Sequence, residues 1–212
     1  MLIRCSRNYR QRLLGRLLMF SVPTVFGIVV VFVLLFMAAK VGQPPLAPLL
    51  ITKTIDINNQ SANVGLPKHL TIPSLNIDAA IEYVGNASDG SMEISPSQDD
   101  VAWYKFGPRP GENGSAVIAG HYGSLHGKFS VFSDLSQLHK GDKLQVQDYK
   151  GRVVTFVVRE SRLYKPTADA TAVFNAHDGK AHLNLITCEG SWNQAKESYS
   201  DRRIVFTDKV TE

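Results

Sequence analysis

Three kinds of hydrophobic pattern follow one another along the chain. Leu17 to Ala39 is apolar without a formal charge, residues 40–66 are rich in proline and polar side chains, and from Pro67 onward short apolar runs alternate with turn residues. An unbroken apolar run of this length is typical of a membrane helix, whereas short alternating runs are typical of β-strands. The pattern therefore predicts an anchor, a linker and a β-domain.

The apolar run is long enough to span a membrane. A helix of its 23 residues is about 34 Å long, against about 30 Å for a bilayer's hydrocarbon core. A cleaved signal peptide is the alternative, but its apolar region is shorter and Phe36-Met37-Ala38 is a poor cleavage site. We expect a basic tail at 1–16, a transmembrane anchor at 17–39 and a linker at 40–66.

The remaining part of the chain, 67–209, is expected to form one all-β domain. Eight short strands in this length fit a closed barrel or a sandwich, with a helical turn near Val131 to Leu138. The candidate strands are His69 to Ile72, Ala79 to Val84, Ser91 to Ile94, Ser115 to Ala119, Lys143 to Asp148, Val153 to Arg159, His182 to Thr187 and Ile204 to Thr207.

The charge of the chain is concentrated in its tail. Five of the 23 Lys and Arg residues lie in residues 1–16, which leaves 18 basic against 19 acidic side chains in the rest. A nucleic-acid binder needs positive charge on its folded surface, so nucleic acid is excluded as a partner. No glycine-rich phosphate loop follows a strand, which argues against a nucleotide cofactor. The positive-inside rule places the N-terminus in the cytoplasm and the β-domain outside a single-pass anchor in the cell membrane.

The two cysteines of the chain, Cys5 and Cys188, then lie on opposite sides of the membrane. We therefore expect that they do not pair with each other. A single thiol in an exported domain is unusual, because exported proteins generally pair their cysteines. We therefore expect Cys188 to have a chemical role, whereas we expect no functional role for Cys5.

Three strand ends carry residues suited to acyl transfer. Cys188 follows the apolar run Leu185-Ile186-Thr187, His121 follows Ala119-Gly120, and Arg202 begins the final strand. Taken alone, each residue has a purely structural explanation. The cysteine is then a small core residue, the histidine a residue whose ring is hydrogen-bonded within the fold, and the arginine a solvent-exposed residue at a strand start. Together they supply a thiolate nucleophile, an imidazole acid and a cation for a carbonyl oxygen that becomes anionic.

In order and spacing, the segments 119–121, 185–188 and 202–206 resemble the sortase family, as do Ile72 to Ile77, Trp103 to Pro108 and Pro110 to Glu112. The resemblance covers about Leu66 to Lys209. It implies an eight-stranded barrel and a cysteine transpeptidase that cleaves an LPxTG-like sorting signal between Thr and Gly, through a thioester on Cys188. By the same resemblance, His121 acts as acid and base and Arg202 holds the carbonyl oxygen or the signal backbone. Ala119, Ile186 and Thr187 fall where the family lines the groove for the signal.

The resemblance also implies partners: surface proteins that bear the sorting signal, and an amine acceptor such as a lipid-linked peptidoglycan precursor. The short form resembles the compact classes, of the D, E and F type, more than the pilin-polymerising class, which remains an alternative. A second alternative is a non-catalytic, membrane-tethered domain that binds peptide. Arg203 is the fallback for Arg202, since adjacent strand residues face opposite ways.

No cofactor or metal site is expected. The other histidines make no recognised ligand spacing with a cysteine or carboxylate, so we expect solvated loop residues. They are residues 69, 126, 139, 177 and 182.

Overall fold

A closed barrel of eight β-strands dominates the computed structural model, which describes Ile3, Cys5 and residues 64–211. Two further short strands form a hairpin. The strands are β1 (Pro67–Ile72), β2 (Ile77–Val84), β3 (Val101–Tyr104), β4 (Gly114–Gly120), β5 (Ser124–Leu125), β6 (Lys128–Phe129), β7 (Lys143–Asp148), β8 (Val153–Tyr164), β9 (Ala181–Asn193) and β10 (Ser198–Lys209). Short 3-10 helices lie at Pro73–Leu75 and Leu135–Gln137, and the helix α1 spans Thr171–Phe174.

The order of strands around the barrel is β1-β2-β3-β4-β9-β10-β8-β7, and β7 closes onto β1. Most neighbours are antiparallel, but β2 and β3 are parallel, as are β4 and β9. Parallel neighbours end at the same edge of a sheet, which places the ends of β4 and β9 side by side.

The predicted all-β fold is confirmed, but the list of strands has errors. Ser91 to Ile94 forms no strand and lies in a loop, where Asp89 accepts hydrogen bonds from the backbone and hydroxyl of Ser91. The short strands β5 and β6 were not predicted, and the barrel strand that was missed is β3. Its first three residues are all buried, so it lacks the alternation by which a half-exposed strand is recognised. The helical turn predicted near Val131 to Leu138 is present as the 3-10 helix at Leu135–Gln137.

Two hydrophobic clusters lie on opposite faces of the barrel wall. The inner cluster fills the barrel with large side chains such as Phe156 and Leu185. The outer cluster includes Ile186 and Cys188 on β9, and the loop residue Met92 and the α1 residue Val173 cover it. Because β9 is covered on both faces, it is buried without interruption from Ala181 to Cys188.

The predicted tail and anchor lie outside the described residues, apart from Ile3 and Cys5, and so does the predicted linker up to residue 63. Within the described part of the chain, no helix has the length and apolar character needed to cross a bilayer.

Candidate active site

The strand register brings the three predicted reactive residues to one edge of the barrel. Ala119 pairs with Ile186 across the parallel strands β4 and β9, so His121 and Cys188 follow at the same edge. On the other side of β9, Arg202 is the register partner of Cys188. Side chains of register partners lie on the same face of a sheet.

Gly120 sets the turn that carries His121 beyond the end of β4. A Cβ atom at this position would lie 2.5 Å from the ring of Phe132, which is fully buried. The Phe132 backbone N–H donates to the His121 carbonyl oxygen at 3.0 Å. Only glycine therefore lets the Phe132 ring pack directly beneath the histidine.

His121 is 7% exposed, and one nitrogen of its ring is held by the backbone. Nε2 lies 2.7 Å from the carbonyl oxygen of Ser95, which can only accept a hydrogen bond, so Nε2 carries a proton and donates. Burial lowers the pKa of His121, and the Ser95 carbonyl partly opposes this by stabilising the protonated ring. His121 and Cys188 line the same small cavity of about 30 Å³, together with Tyr122 and Tyr199.

Arg202 is a buried cation held by neutral oxygen atoms. It is 3% exposed, and its guanidinium donates to the carbonyl oxygens of Tyr199 and Asp201 at 3.0 and 2.9 Å and to the Ser198 hydroxyl at 3.1 Å. Burial lowers the pKa of Arg202 to about 10, although the charge of Asp201 acts in the other direction. The Asp201 carboxylate itself binds Lys165 at 2.6 Å.

Arg203 faces the other way and is neutralised. Its Nε and one terminal nitrogen donate to the Glu189 carboxylate at 2.7 and 2.5 Å. The hydrogen bond to Glu189 raises the pKa of Arg203. Of the two adjacent arginines, the structure therefore places Arg202 beside Cys188 and gives Arg203 a carboxylate partner.

The three predicted groove residues do not share one face. Ala119 and Ile186 belong to the outer cluster that also contains Cys188. Thr187 lies between Ile186 and Cys188 on the strand, so its side chain points to the opposite face. Its hydroxyl donates to the Gly120 carbonyl oxygen at 2.8 Å, which ties β9 to the turn before His121.

The expectation that Cys5 and Cys188 do not pair is wrong in this structure, because a disulfide joins them. Ile3 and Cys5 are each 3% exposed and belong to the outer cluster. Ile3 forms a bridge with Met92, and its carbonyl oxygen accepts a hydrogen bond of 3.1 Å from Arg202 Nε. The sequence argument assumed a membrane between the two cysteines, whereas here they lie at the same edge of the barrel.

Several residues of this edge were missed in the sequence. Ser95 contributes only a backbone carbonyl, Met92 belongs to a segment misread as a strand, and Tyr199 lies in the predicted loop before Arg202. Asn184, which is 1% exposed, donates to the Val173 carbonyl oxygen at 2.6 Å and so attaches α1 to β9. For these missed residues the sequence offered one signal, which was the polar side chain of Asn184 within a largely apolar strand.

His69 and His182 lie in β1 and β9, in the two strands predicted to begin at these residues, and the expectation of a solvated histidine is wrong for His182. His182 is 5% exposed, with one ring nitrogen 2.8 Å from Asp208 and the other 3.0 Å from Asp178. Among the described residues, no group of three or more His, Cys, Asp or Glu side chains is arranged so that it could hold a metal ion.

Comparisons with known proteins identify the family and the fold of the barrel. A family model described as the sortase domain matches residues 70–210. No curated protein sequence matches the chain. Among solved structures, sortase C-1 from Actinomyces oris is similar with a TM-score of 0.53 and 23% identity, over 68% of this chain and 73% of that chain. Sortase C1 from Streptococcus agalactiae gives a TM-score of 0.54 and 22% identity, over 68% and 67%.

A third structure, a Clostridium perfringens Sortase D5 transpeptidase, has a TM-score of 0.51 and 20% identity, over 69% of this chain and 79% of that chain. At these identities the structural likeness shows the fold. The family model spans the barrel from β1 to the end of β10 and includes His121, Cys188 and Arg202. The chain therefore belongs to the sortase family.

Proposed function

We propose that this chain is a cysteine transpeptidase that cuts a sorting signal of the LPxTG type between Thr and Gly and transfers the protein to an amine of the cell wall. The observation that carries the proposal is the strand register, in which Arg202 on β10 is the partner of Cys188 on β9 and Ala119, two residues before His121, is the partner of Ile186. His121 and Cys188 also line one cavity. A thiol, an imidazole and a guanidinium therefore lie together at this edge.

The proposed chemistry assigns one role to each residue. The Cys188 thiolate attacks the threonine carbonyl carbon, and Arg202 stabilises the negative charge on the carbonyl oxygen. The bond between Thr and Gly breaks as His121 in its protonated form donates a proton to the departing amine. An incoming amine then loses its proton to His121 and attacks the thioester, which releases Cys188 as thiolate.

The outer cluster supports the groove from below in this proposal. Ala119 and Ile186 are fully buried on the Cys188 face, and Met92 and Val173 cover them. Their packing fixes the position of the surface on which the leucine and proline of the signal would lie. Thr187 takes a positioning role instead, since its hydroxyl holds the turn that carries His121.

Mass spectrometry of the reduced barrel, residues 64–212, tests the activity. The protein is mixed with an LPxTG-type peptide library, with oligoglycine or a pilin-derived lysine peptide as amine. We expect a thioester adduct on Cys188 that the preferred amine resolves, and Cys188→Ala prevents it. A folded wild-type barrel that binds peptide without any adduct would instead support the peptide-binding alternative, and resolution by the lysine peptide alone would support pilus assembly.

The proposed location is the cell membrane, with a single anchor, a cytoplasmic N-terminus and the barrel outside. This topology and a disulfide between Cys5 and Cys188 exclude each other in one molecule, because one membrane crossing separates the two residues. In this topology Cys188 is a free thiol, as catalysis requires.

Alkylation of the full chain in intact cells tests the topology. A permeant maleimide is added before lysis, and the denatured chain is weighed without reductant. We expect two adducts, one on each cysteine, and a single adduct in Cys5→Ser. An unalkylated chain with the disulfide intact would overturn the proposed topology while leaving the peptide assay on the reduced barrel unaffected.

A further inference from the structure

The end of the barrel remote from Cys188 carries a second surface, which we call the Tyr149 face. It consists of Leu66 and Lys68 at the start of the barrel, the turn from Tyr149 to Val153, and Lys209 with Val210 after β10. Tyr149 donates a backbone hydrogen bond to the Leu66 carbonyl oxygen at 3.2 Å, and Val210 donates one to Thr155 at 2.9 Å. These contacts hold the three segments together.

Apolar side chains are concentrated on this face. Of the eight large hydrophobic residues exposed in the described part of the chain, four belong to it. They are Leu66 at 43%, Tyr149 at 66%, Val153 at 51% and Val210 at 37% exposed. Exposed apolar residues that cluster in this way mark an interaction surface, whereas scattered ones need no explanation.

The same face carries positive charge. Lys68 and Lys150 are exposed, and Lys68 lies over the Tyr149 ring at 5.8 Å. The nearby carboxylate of Asp148 is already neutralised by Arg152 at 2.8 Å and by two backbone N–H groups of the turn. A cavity of about 640 Å³ is bordered by Lys143, Arg152 and Lys209 among apolar neighbours. The face thus combines tyrosine, aliphatic side chains and uncompensated lysines.

The path of the chain identifies the partner. Val64 borders this cavity, and in the sequence 24 residues, 40–63, separate it from the predicted anchor that ends at Ala39. A random coil of that length has a mean span of about 27 Å, so the predicted anchor would keep the Tyr149 face close to the bilayer. Tyrosines are favoured at the membrane interface, and lysines are attracted to anionic lipids within a Debye length.

We propose that the Tyr149 face docks on an anionic membrane surface and so fixes the orientation of the barrel. On β10, Arg202 and Lys209 are seven residues apart, which corresponds to about 23 Å along the strand. Docking would therefore hold the catalytic edge away from the lipid at a defined height. The proposal depends on the predicted anchor and not on the transpeptidase activity.

Hydrogen exchange of the full chain in nanodiscs tests the docking. One lipid mixture is phosphatidylcholine alone, and the other contains an equal part of phosphatidylglycerol. We expect amides of residues 64–68 and 148–153 to exchange at least threefold more slowly in the anionic discs. The double variant Lys68→Glu with Lys150→Glu should abolish this protection, and Tyr149→Ser should reduce it.

A matched pair of substitutions controls for net charge. Lys128 and Lys196 lie in the β5–β6 hairpin and the β9–β10 loop, away from the Tyr149 face. Lys128→Glu with Lys196→Glu should leave the protection intact, and unchanged exchange in β9 and β10 verifies the fold of every variant. Equal exchange in both lipids, or protection that survives the Lys68 and Lys150 changes, overturns the proposal. Thioester formation in the Lys68 and Lys150 variant should equal wild type, which separates this test from that of the proposed function.

Discussion

The two ends of the barrel differ in the environment of their positively charged side chains. At the catalytic edge, Arg202 is buried with only carbonyl and hydroxyl oxygens as partners, and its pKa is lowered to about 10. At the Tyr149 face, Lys68 and Lys150 are exposed to solvent. A buried cation without a carboxylate costs stability, whereas an exposed one costs little. The fold retains Arg202 at that cost, which points to a role in binding or catalysis.

The largest effect is expected when the two adjacent arginines are replaced separately. Arg202→Met should lower kcat/KM for the signal peptide about 100-fold to 1000-fold, the range for losing one stabiliser of an oxyanion. Because it removes a desolvated charge, the same change should leave the free energy of unfolding unchanged or raise it. Peptide-cleavage kinetics and urea unfolding of the barrel measure the two effects.

Arg203→Met serves as the matched control for that experiment. It breaks the pair with Glu189, whose side chain is 18% exposed, so it should destabilise the barrel by about 1 kcal/mol. Its effect on kcat/KM should stay below threefold. If Arg203→Met loses the activity and Arg202→Met does not, the assignment of the two arginines is reversed.

Gly120→Ala tests the packing beneath His121. The added methyl would lie 2.5 Å from the Phe132 ring, so we expect a loss of about 1 to 3 kcal/mol in the free energy of unfolding. Gly127→Ala is a control at an exposed glycine whose Cβ would meet nothing within 4 Å, although its φ of +82° adds strain of its own. Thermal unfolding at matched concentration compares them, and equal stability of wild type and Gly120→Ala would show that Phe132 can move aside.

Thr187→Val tests the link between β9 and the His121 turn. The substitution keeps the shape of the side chain but removes the hydrogen bond to the Gly120 carbonyl oxygen, which should cost about 1 kcal/mol. If Thr187 only positions the turn, kcat should fall while KM for the signal peptide changes little. A rise in KM with unchanged kcat would restore the groove role predicted from the sequence.

The sequence was sufficient to place the three residues on neighbouring strands and insufficient for the lengths of two of these strands and for what covers them. His121 follows β4 as predicted, but Cys188 and Arg202, predicted at strand ends, lie inside the longer strands β9 and β10, where the register still pairs them. Ser95 acts through its backbone and Met92 through a loop, and neither contact leaves a residue pattern. The pairing of Cys5 with Cys188 depends on which side of a membrane each residue occupies, and the predicted anchor itself lies outside the described residues.

The smallest effect concerns the pH dependence of stability at the catalytic edge. Burial lowers the folded-state pKa of His121 below the unfolded value of 6.5, so the folded barrel favours the neutral ring. Above pH 6.5 the ring of His121 is neutral in both the folded and the unfolded chain, and its contribution to the free energy of unfolding is fully present. As the pH falls through 6.5 toward the lowered pKa, the unfolded chain binds the proton first and stability is lost. His121→Gln should therefore flatten the decline in free energy of unfolding between pH 7.5 and 5.5. His126→Gln, in the loop between β5 and β6, should leave the slope as in wild type, and a steeper decline in His121→Gln would mean that the folded edge favours the imidazolium instead.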